Sequence, residues 1–192
     1  MELDKKLRIL DQSLSMHSDL RDRYKRRSLI VDLSLLACSV VFCASAFAGD
    51  SALSHFGTKP DLIRYFLRVS SVLAFMLSIL SLRIDWKGKS AAHHDATGRL
   101  SRALASFRDH RQSDGTWPSE SIPRLDDTYW AAMHNSVPIP EADFVRLKAR
   151  HLRKVELSKM VSSHPGCPVI ALRLALLCSS LRQLLSGKQQ IE

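Results

Sequence analysis

The chain has 192 residues, 45% of them hydrophobic, which suffices for one ordinary domain or for a membrane hairpin with a modest soluble part. Its formal net charge of +9 at pH 7 favours anionic neighbours such as lipid head groups, nucleic acid or phosphorylated ligands. Four cysteines without a CxxC pair exclude a dense disulfide framework, so we expect reduced, buried thiols.

The N-terminal segment, residues 1–28, predicts an amphipathic cytosolic helix that leads into the apolar run after it. Its leucines recur at spacings of three and four residues: Leu3, Leu7, Leu10 and Leu14. This stripe is suited to packing against the same chain or against a second subunit.

The first of two apolar runs begins at Leu29 and ends at Ala48, with Asp32 as its single charge. At a rise of 1.5 Å per residue, it covers the roughly 30 Å of a hydrocarbon core. We expect Asp32 to face water at the lipid boundary or a basic partner such as Arg26 or Arg27.

The second apolar run begins at Leu62 and ends at Leu82, after a connecting loop at 49–61. Arg64 and Arg68 lie near its start, where long side chains extend towards the boundary. An unpaired backbone N–H or C=O group in lipid costs several kcal/mol, and a helix pairs these groups internally. Both runs are therefore predicted to be helices of a transmembrane hairpin, residues 29–82.

Most basic residues lie before the first run or after the second, rather than in the loop between them. All but three of the 28 Lys and Arg residues lie outside the two runs and their loop. The positive-inside rule therefore predicts a multi-pass protein with both termini in the cytoplasm. A soluble helical hairpin, which does not need this asymmetry, and a cleaved signal peptide stay open as alternatives.

Residues 83–192 predict a cytosolic helical region. Segment 86–110 has no proline and carries small and apolar residues at helical spacing, so the second span is expected to continue into a long helix. Turn residues follow at 112–123, and a short segment after them supplies three candidate core residues: Tyr129, Trp130 and Met133.

Two more helices are predicted towards the C-terminus. Pro140 and the acids after it suit the first turn of a helix that ends near Ser162. One face of that helix contains Phe144, Leu147, His151 and Val155. The tail, 169–185, predicts a packed amphipathic helix, with a third span as the alternative. No strand pattern is present, so the predicted fold class is all-α.

Segment 137–161 (VPIPEADFVRLKARHLRKVELSKMV) resembles the C-terminal signature of the SLATT family. After a Pro-Ile-Pro opening, the matching residues are Phe144, Leu147, Lys148, His151, Lys154, Val155, Ser158 and Lys159. The paired apolar runs and segment 86–94 (WKGKSAAHH) fit the same pattern, so the resemblance covers most of residues 10–165.

This resemblance implies a role rather than a reaction. SLATT proteins are two-span effectors of bacterial conflict systems, inferred to assemble into pores in the inner membrane. They are encoded beside nucleotide-signal synthases, nucleotide-sensing domains or reverse transcriptases, which implies an upstream module of one of these kinds. A homo-oligomer that acts in anti-phage defence by abortive infection is therefore expected.

Small and polar residues of the spans form the candidate pore-lining or packing stripe: Asp32, Ser71, Ala74, Ser78 and Ser81. Small side chains let helix backbones approach closely, and serines can hydrogen-bond across helices or line a wet lumen. Close packing is the simpler interpretation and pore lining the more specific one.

A second set is a candidate regulatory or partner face: His93, His94, Arg146, Lys148, His151, Lys154, Ser158 and Lys159. The resemblance implies that His151, and one of His93 and His94, take part in hydrogen bonds between helices. The basic residues form a solvated face or hold anionic lipid, a phosphorylated messenger or RNA. No aromatic residues are interleaved with them, so direct nucleic-acid binding is not expected.

No enzymatic motif accompanies these residues. His93-His94-Asp95 contains the HD dipeptide of phosphohydrolases but lacks their further ligands, and no phosphate-binding loop or nucleophile motif occurs. We therefore expect neither catalysis nor a cofactor. A membrane-anchored adaptor, in which the hairpin tethers a helical interaction module, is the alternative function.

Overall fold

A computed structural model describes residues 2–47, 60–112 and 116–187. These residues form helices and no strand, which confirms the all-α prediction. The helices are α1 (Glu2–Phe47), α2 (Pro60–Ile84), α3 (Trp86–His110), a short 3-10 helix (Ser119–Ser121), α4 (Ile122–His134), α5 (Glu141–Ser163) and α6 (Val169–Gly187). Ala48 and nearly all of the predicted loop at 49–61 lie outside the described residues.

Helix α1 is a single uninterrupted helix of 46 residues, about 69 Å long. It joins the predicted N-terminal helix to the first apolar run without a break at Leu29. Residues at strict seven-residue spacing lie along its buried or half-buried face: Leu3, Leu10, His17, Tyr24, Val31, Cys38 and Ser45. A heptad repeat of this kind keeps one helix face against a partner along its whole length.

Helix α1 packs against α2 and α3, two consecutive helices that both run antiparallel to it. Three contacts fix the direction: Asp4 with Arg111 at 3.3 Å, the Arg21 carbonyl with the Ser90 hydroxyl at 3.2 Å, and Asp32 with Lys87 at 3.0 Å. As the residue number rises along α1, the number of its partner falls. The long helix after the second span is therefore present, folded back along the N-terminal half of α1.

The core is formed by the N-terminal half of α1 together with α3 and α4. Its buried members are Leu3, Leu10, Leu100, Ala103, Leu104, Phe107, Leu125, Tyr129 and Ala132. Met133 packs at the edge of this core, as predicted. The prediction for Trp130 is wrong, since its side chain is 53% exposed. Successive side chains of a helix differ in direction by about 100°, so Trp130 does not lie on the buried face that includes Tyr129.

The C-terminal half of α1 and helix α2 pack together but expose their outer faces. The most apolar 18-residue window is 6% buried in α1 and 0% buried in the stretch that begins at Tyr65. Large apolar side chains are among the most exposed, with Leu36 at 60% and Phe66 at 73%. Both helical stretches are long and apolar enough to cross a membrane.

The described residues from Pro138 onwards form a second compact unit, and those up to Val137 form the first. The predicted division into 1–28, 29–82 and 83–192 stays a prediction, and residues 2–28 pack on α3. Helix α5 has nearly the predicted bounds, and Leu147 and His151 are buried. Within the described side chains, the apolar stretch of α6 is Val169–Ser179, and the predicted choice between a packed helix and a third span stays open.

The four cysteines are free, as expected for reduced thiols. The expectation that they are buried is wrong. Cys38 is half-buried, whereas Cys43, Cys167 and Cys178 are exposed. Cys43 lies on the outward face of α1, and Cys167 lies in the turn between α5 and α6.

Candidate functional site

The predicted stripe of small residues in α2 divides between two faces. Ala74 and Ser81 are half-buried, on the side of the helix that packs against α1. Ser71 and Ser78 are exposed on the outside of the hairpin, and the Ser71 hydroxyl donates to the Arg68 carbonyl at 2.8 Å. Two residues can pack within the hairpin, and the other two are available only to lipid or to another chain.

Asp32 pairs with Lys87, and its carboxylate also accepts a hydrogen bond from the Ser28 hydroxyl at 3.3 Å. The partners expected from the sequence, Arg26 and Arg27, are not the ones the structure gives it. They lie six and five residues before Asp32, off the i, i+3 and i, i+4 spacings that bring helix side chains together. Lys87 reaches Asp32 because the antiparallel pairing places the start of α3 nearby.

A single residue, Asp85, interrupts the helix between α2 and α3. Asp85 has φ 47° and ψ 58°, in the left-handed region, and its carboxylate accepts a hydrogen bond from the Gly88 amide at 2.9 Å. A Cβ atom at Gly88 would lie 2.1 Å from Asp85 Oδ2, so a larger residue would force the capping carboxylate to shift. The pair Asp85 and Gly88 therefore fixes where the apolar helix ends and the core-packed helix begins.

Replacing Asp85 by valine is expected to lower the free energy of unfolding by about 2 kcal/mol. Loss of the side-chain cap contributes about 1 kcal/mol, and a β-branched residue adds about 1 kcal/mol or more in left-handed backbone. Asp85→Asn, which keeps both a capping oxygen and tolerance of this conformation, is the control. Thermal unfolding of the purified variants measures the difference, and equal stability of the two would contradict the proposed cap.

His17 of α1 and His93 of α3 form a buried pair. Their Nδ1 atoms are 2.9 Å apart, and the two residues are 3% and 4% exposed. The Tyr24 ring stacks on His93 at a centroid distance of 5.6 Å and an angle of 10°. One Nδ1 must donate and the other accept, so the bond requires different tautomers in the two rings. A proton on both Nδ1 atoms would break it.

Burial opposes protonation of both imidazoles. It lowers the pKa of His17 to about 4, with further contributions from the charges of His93 and Arg99. Burial also lowers the pKa of His93. Both rings are therefore neutral near pH 7, and the pair is a buried polar link between α1 and α3.

The two adjacent histidines of the predicted face have opposite environments. His93 is buried and bonded between helices, whereas His94 is exposed. His17 was missing from the predicted site residues. Its signal is positional, because it continues the seven-residue spacing of Leu3 and Leu10 on the buried face of α1.

The predicted basic face of α5 also divides. Lys154 lines a groove against α6 together with Arg150 and Arg153, and α6 contributes Arg173. The other predicted residues lie outside this groove: Arg146, which pairs with Asp143, and Lys148, Ser158 and Lys159, which are exposed. His151 is buried in the same unit. His93 belongs to the first unit and these basic residues to the second.

Within the described residues, no three His, Cys, Asp or Glu side chains are close enough together to hold a metal ion. An apolar cavity of about 520 Å³ lies between the exposed halves of α1 and α2, lined in part by Phe42, Leu62 and Phe66. Few polar groups line this cavity, so it cannot orient a polar substrate and suits an apolar ligand instead.

Comparisons with protein-family models, curated proteins and solved structures give no match to this chain. The resemblance to the SLATT family therefore stays a prediction from the sequence.

Proposed function

We propose that this chain is a pore-forming effector of a bacterial anti-phage defence system, activated through its cytosolic helices and causing abortive infection. It crosses the inner membrane twice, with both termini in the cytoplasm. It works as a homo-oligomer under the control of an upstream sensor, nucleotide-signal synthase or reverse-transcriptase module. It performs no catalysis and does not bind nucleic acid directly.

One observation carries this proposal: α1 is continuous from the core to the exposed apolar hairpin. Its N-terminal half is held by buried residues such as Leu10 and Leu20, and its C-terminal half exposes Leu36 and Val40. A helix without a break transmits rotation or translation of one half to the other. A partner that disturbs the packing of α1 on α3 therefore moves the membrane half directly.

A pore requires more than one copy of this chain. Two helices cannot enclose a lumen, and this hairpin leaves Ser71 and Ser78 on its outer face. Small polar residues on such a face are suited to contact with a neighbouring hairpin or with water in a shared lumen. Assembly of several hairpins would place both serines against a neighbouring helix or a shared lumen.

The test is membrane depolarisation in cells that express the protein together with its activating module, followed with a potential-sensitive dye. The double substitution Ser71→Leu, Ser78→Leu is expected to abolish depolarisation, because it fills the lumen and removes its hydroxyl groups. The control is Val72→Leu, Ile79→Leu, at exposed apolar positions one residue further along the helix. Depolarisation that survives the serine substitutions would contradict a lumen at this face.

A membrane-anchored adaptor is the second candidate, favoured by the separate core that α1, α3 and α4 build. In that case the hairpin is only a tether. Exchange of both apolar segments for unrelated apolar helices of the same length distinguishes the two. An adaptor keeps its function after the exchange, whereas a pore-forming effector loses it.

A further inference from the structure

We propose that the groove between α5 and α6 binds the phosphate group of an anionic phospholipid. The groove has a volume of about 370 Å³ and lies within the C-terminal unit. This inference concerns a ligand site and does not depend on whether the chain forms a pore.

Four cationic side chains line the groove: Arg150, Arg153 and Lys154 from α5, and Arg173 from α6. No acid is among the lining residues. Between residues 144 and 182 the sequence has eight Lys and Arg residues against one acid, Glu156. Guanidinium groups bind phosphate oxygens through paired N–H donors, so arginines from two helices can hold one phosphate between them.

The rest of the groove wall is apolar, formed by Leu157, Leu176 and Leu177. A free phosphate or pyrophosphate gains nothing from leucine side chains, whereas a phospholipid places glycerol and acyl carbons beside its phosphate. Apolar groups are also exposed next to the groove, with Ile170 at 73% and Leu174 at 58%. Cations beside exposed apolar residues are typical of helices that lie at the surface of an anionic bilayer.

The experiment uses the full chain in a neutral detergent and isothermal titration calorimetry. Three probes are titrated separately: short-chain phosphatidylglycerol, phosphatidylcholine of the same chain length, and inorganic pyrophosphate. The test variant is Arg153→Gln, Arg173→Gln. The matched control is Arg146→Gln, Lys159→Gln, which removes the same charge from outside the groove. Thermal unfolding shows that each variant is folded, and Arg153→Lys, Arg173→Lys restores the charge alone.

We expect phosphatidylglycerol to bind the wild type and the control variant equally, and the groove variant at least about tenfold more weakly, since each charge-assisted hydrogen bond contributes at least a factor of this size. The lysine variant should recover part of the loss. Equal binding of phosphatidylglycerol to the groove and control variants would overturn the site. Equal binding of both lipids would overturn the preference for an anionic head group, and binding of pyrophosphate alone would overturn the lipid assignment.

Discussion

Phe107→Ala is expected to lower the free energy of unfolding by about 3–5 kcal/mol, as for other fully buried aromatic side chains. Phe107 has no exposed surface and packs edge-on against Trp117, at a centroid distance of 5.9 Å. The neighbouring Leu100 and Leu104 belong to the same core. Because helices cannot close around the gap without losing these contacts, a cavity remains and adds to the lost transfer energy.

Thermal unfolding followed by tryptophan fluorescence measures this effect, with an expected decrease in Tm of about 6–20 °C for a chain of this size. Phe144→Ala is the matched control. Phe144 is 41% exposed in the C-terminal unit, so its removal should change the Tm much less. Similar losses for the two phenylalanines would contradict the core as described.

The helices and the apolar hairpin could be predicted from the sequence because they depend on local spacing and on runs of apolar residues. The leucine spacing from Leu3 predicted the buried face of α1, and the same period reaches Ser45 in the structure. The break at Asp85 was not predicted. It depends on one left-handed residue and on the space beside Gly88, which apolar periodicity does not report.

The candidate sites were harder to predict because they depend on pairing between distant segments. His93 was singled out, but its partner His17 lies 76 residues earlier and meets it only when α3 folds back on α1. In the same way, the sequence showed the basic residues of α5, but Arg173 joins them only through the packing of α6 on α5. Charge patterns predict faces of helices, and tertiary pairing decides which faces meet.

The histidine pair predicts that the protein loses stability as the pH falls from 7.5 to 5.5. In the unfolded chain both histidines accept protons near pH 6.5, whereas in the folded chain burial lowers both pKa values, that of His17 to about 4. The unfolded state therefore binds more protons between about pH 6.5 and 4, and the stability present above this window is lost within it. For His17 the expected loss at pH 5.5 is about 1 kcal/mol.

The double variant His17→Leu, His93→Leu should remove this pH dependence. At pH 7.5 its stability should be close to that of the wild type, because both partners of the hydrogen bond are replaced by apolar side chains. His17→Leu alone leaves His93 Nδ1 buried without its partner and should cost about 1–3 kcal/mol at pH 7.5. His94→Leu, at the exposed neighbouring position, is the control and should keep the wild-type slope.

Thermal unfolding at four pH values between 7.5 and 5.5 provides the measurement, in a range where most carboxylates stay ionised. If the double variant and the wild type lose stability in parallel, the pair is not the source of the effect. If the slope disappears in the double variant and persists in His94→Leu, acid weakens the packing of α1 on α3 at the histidine pair.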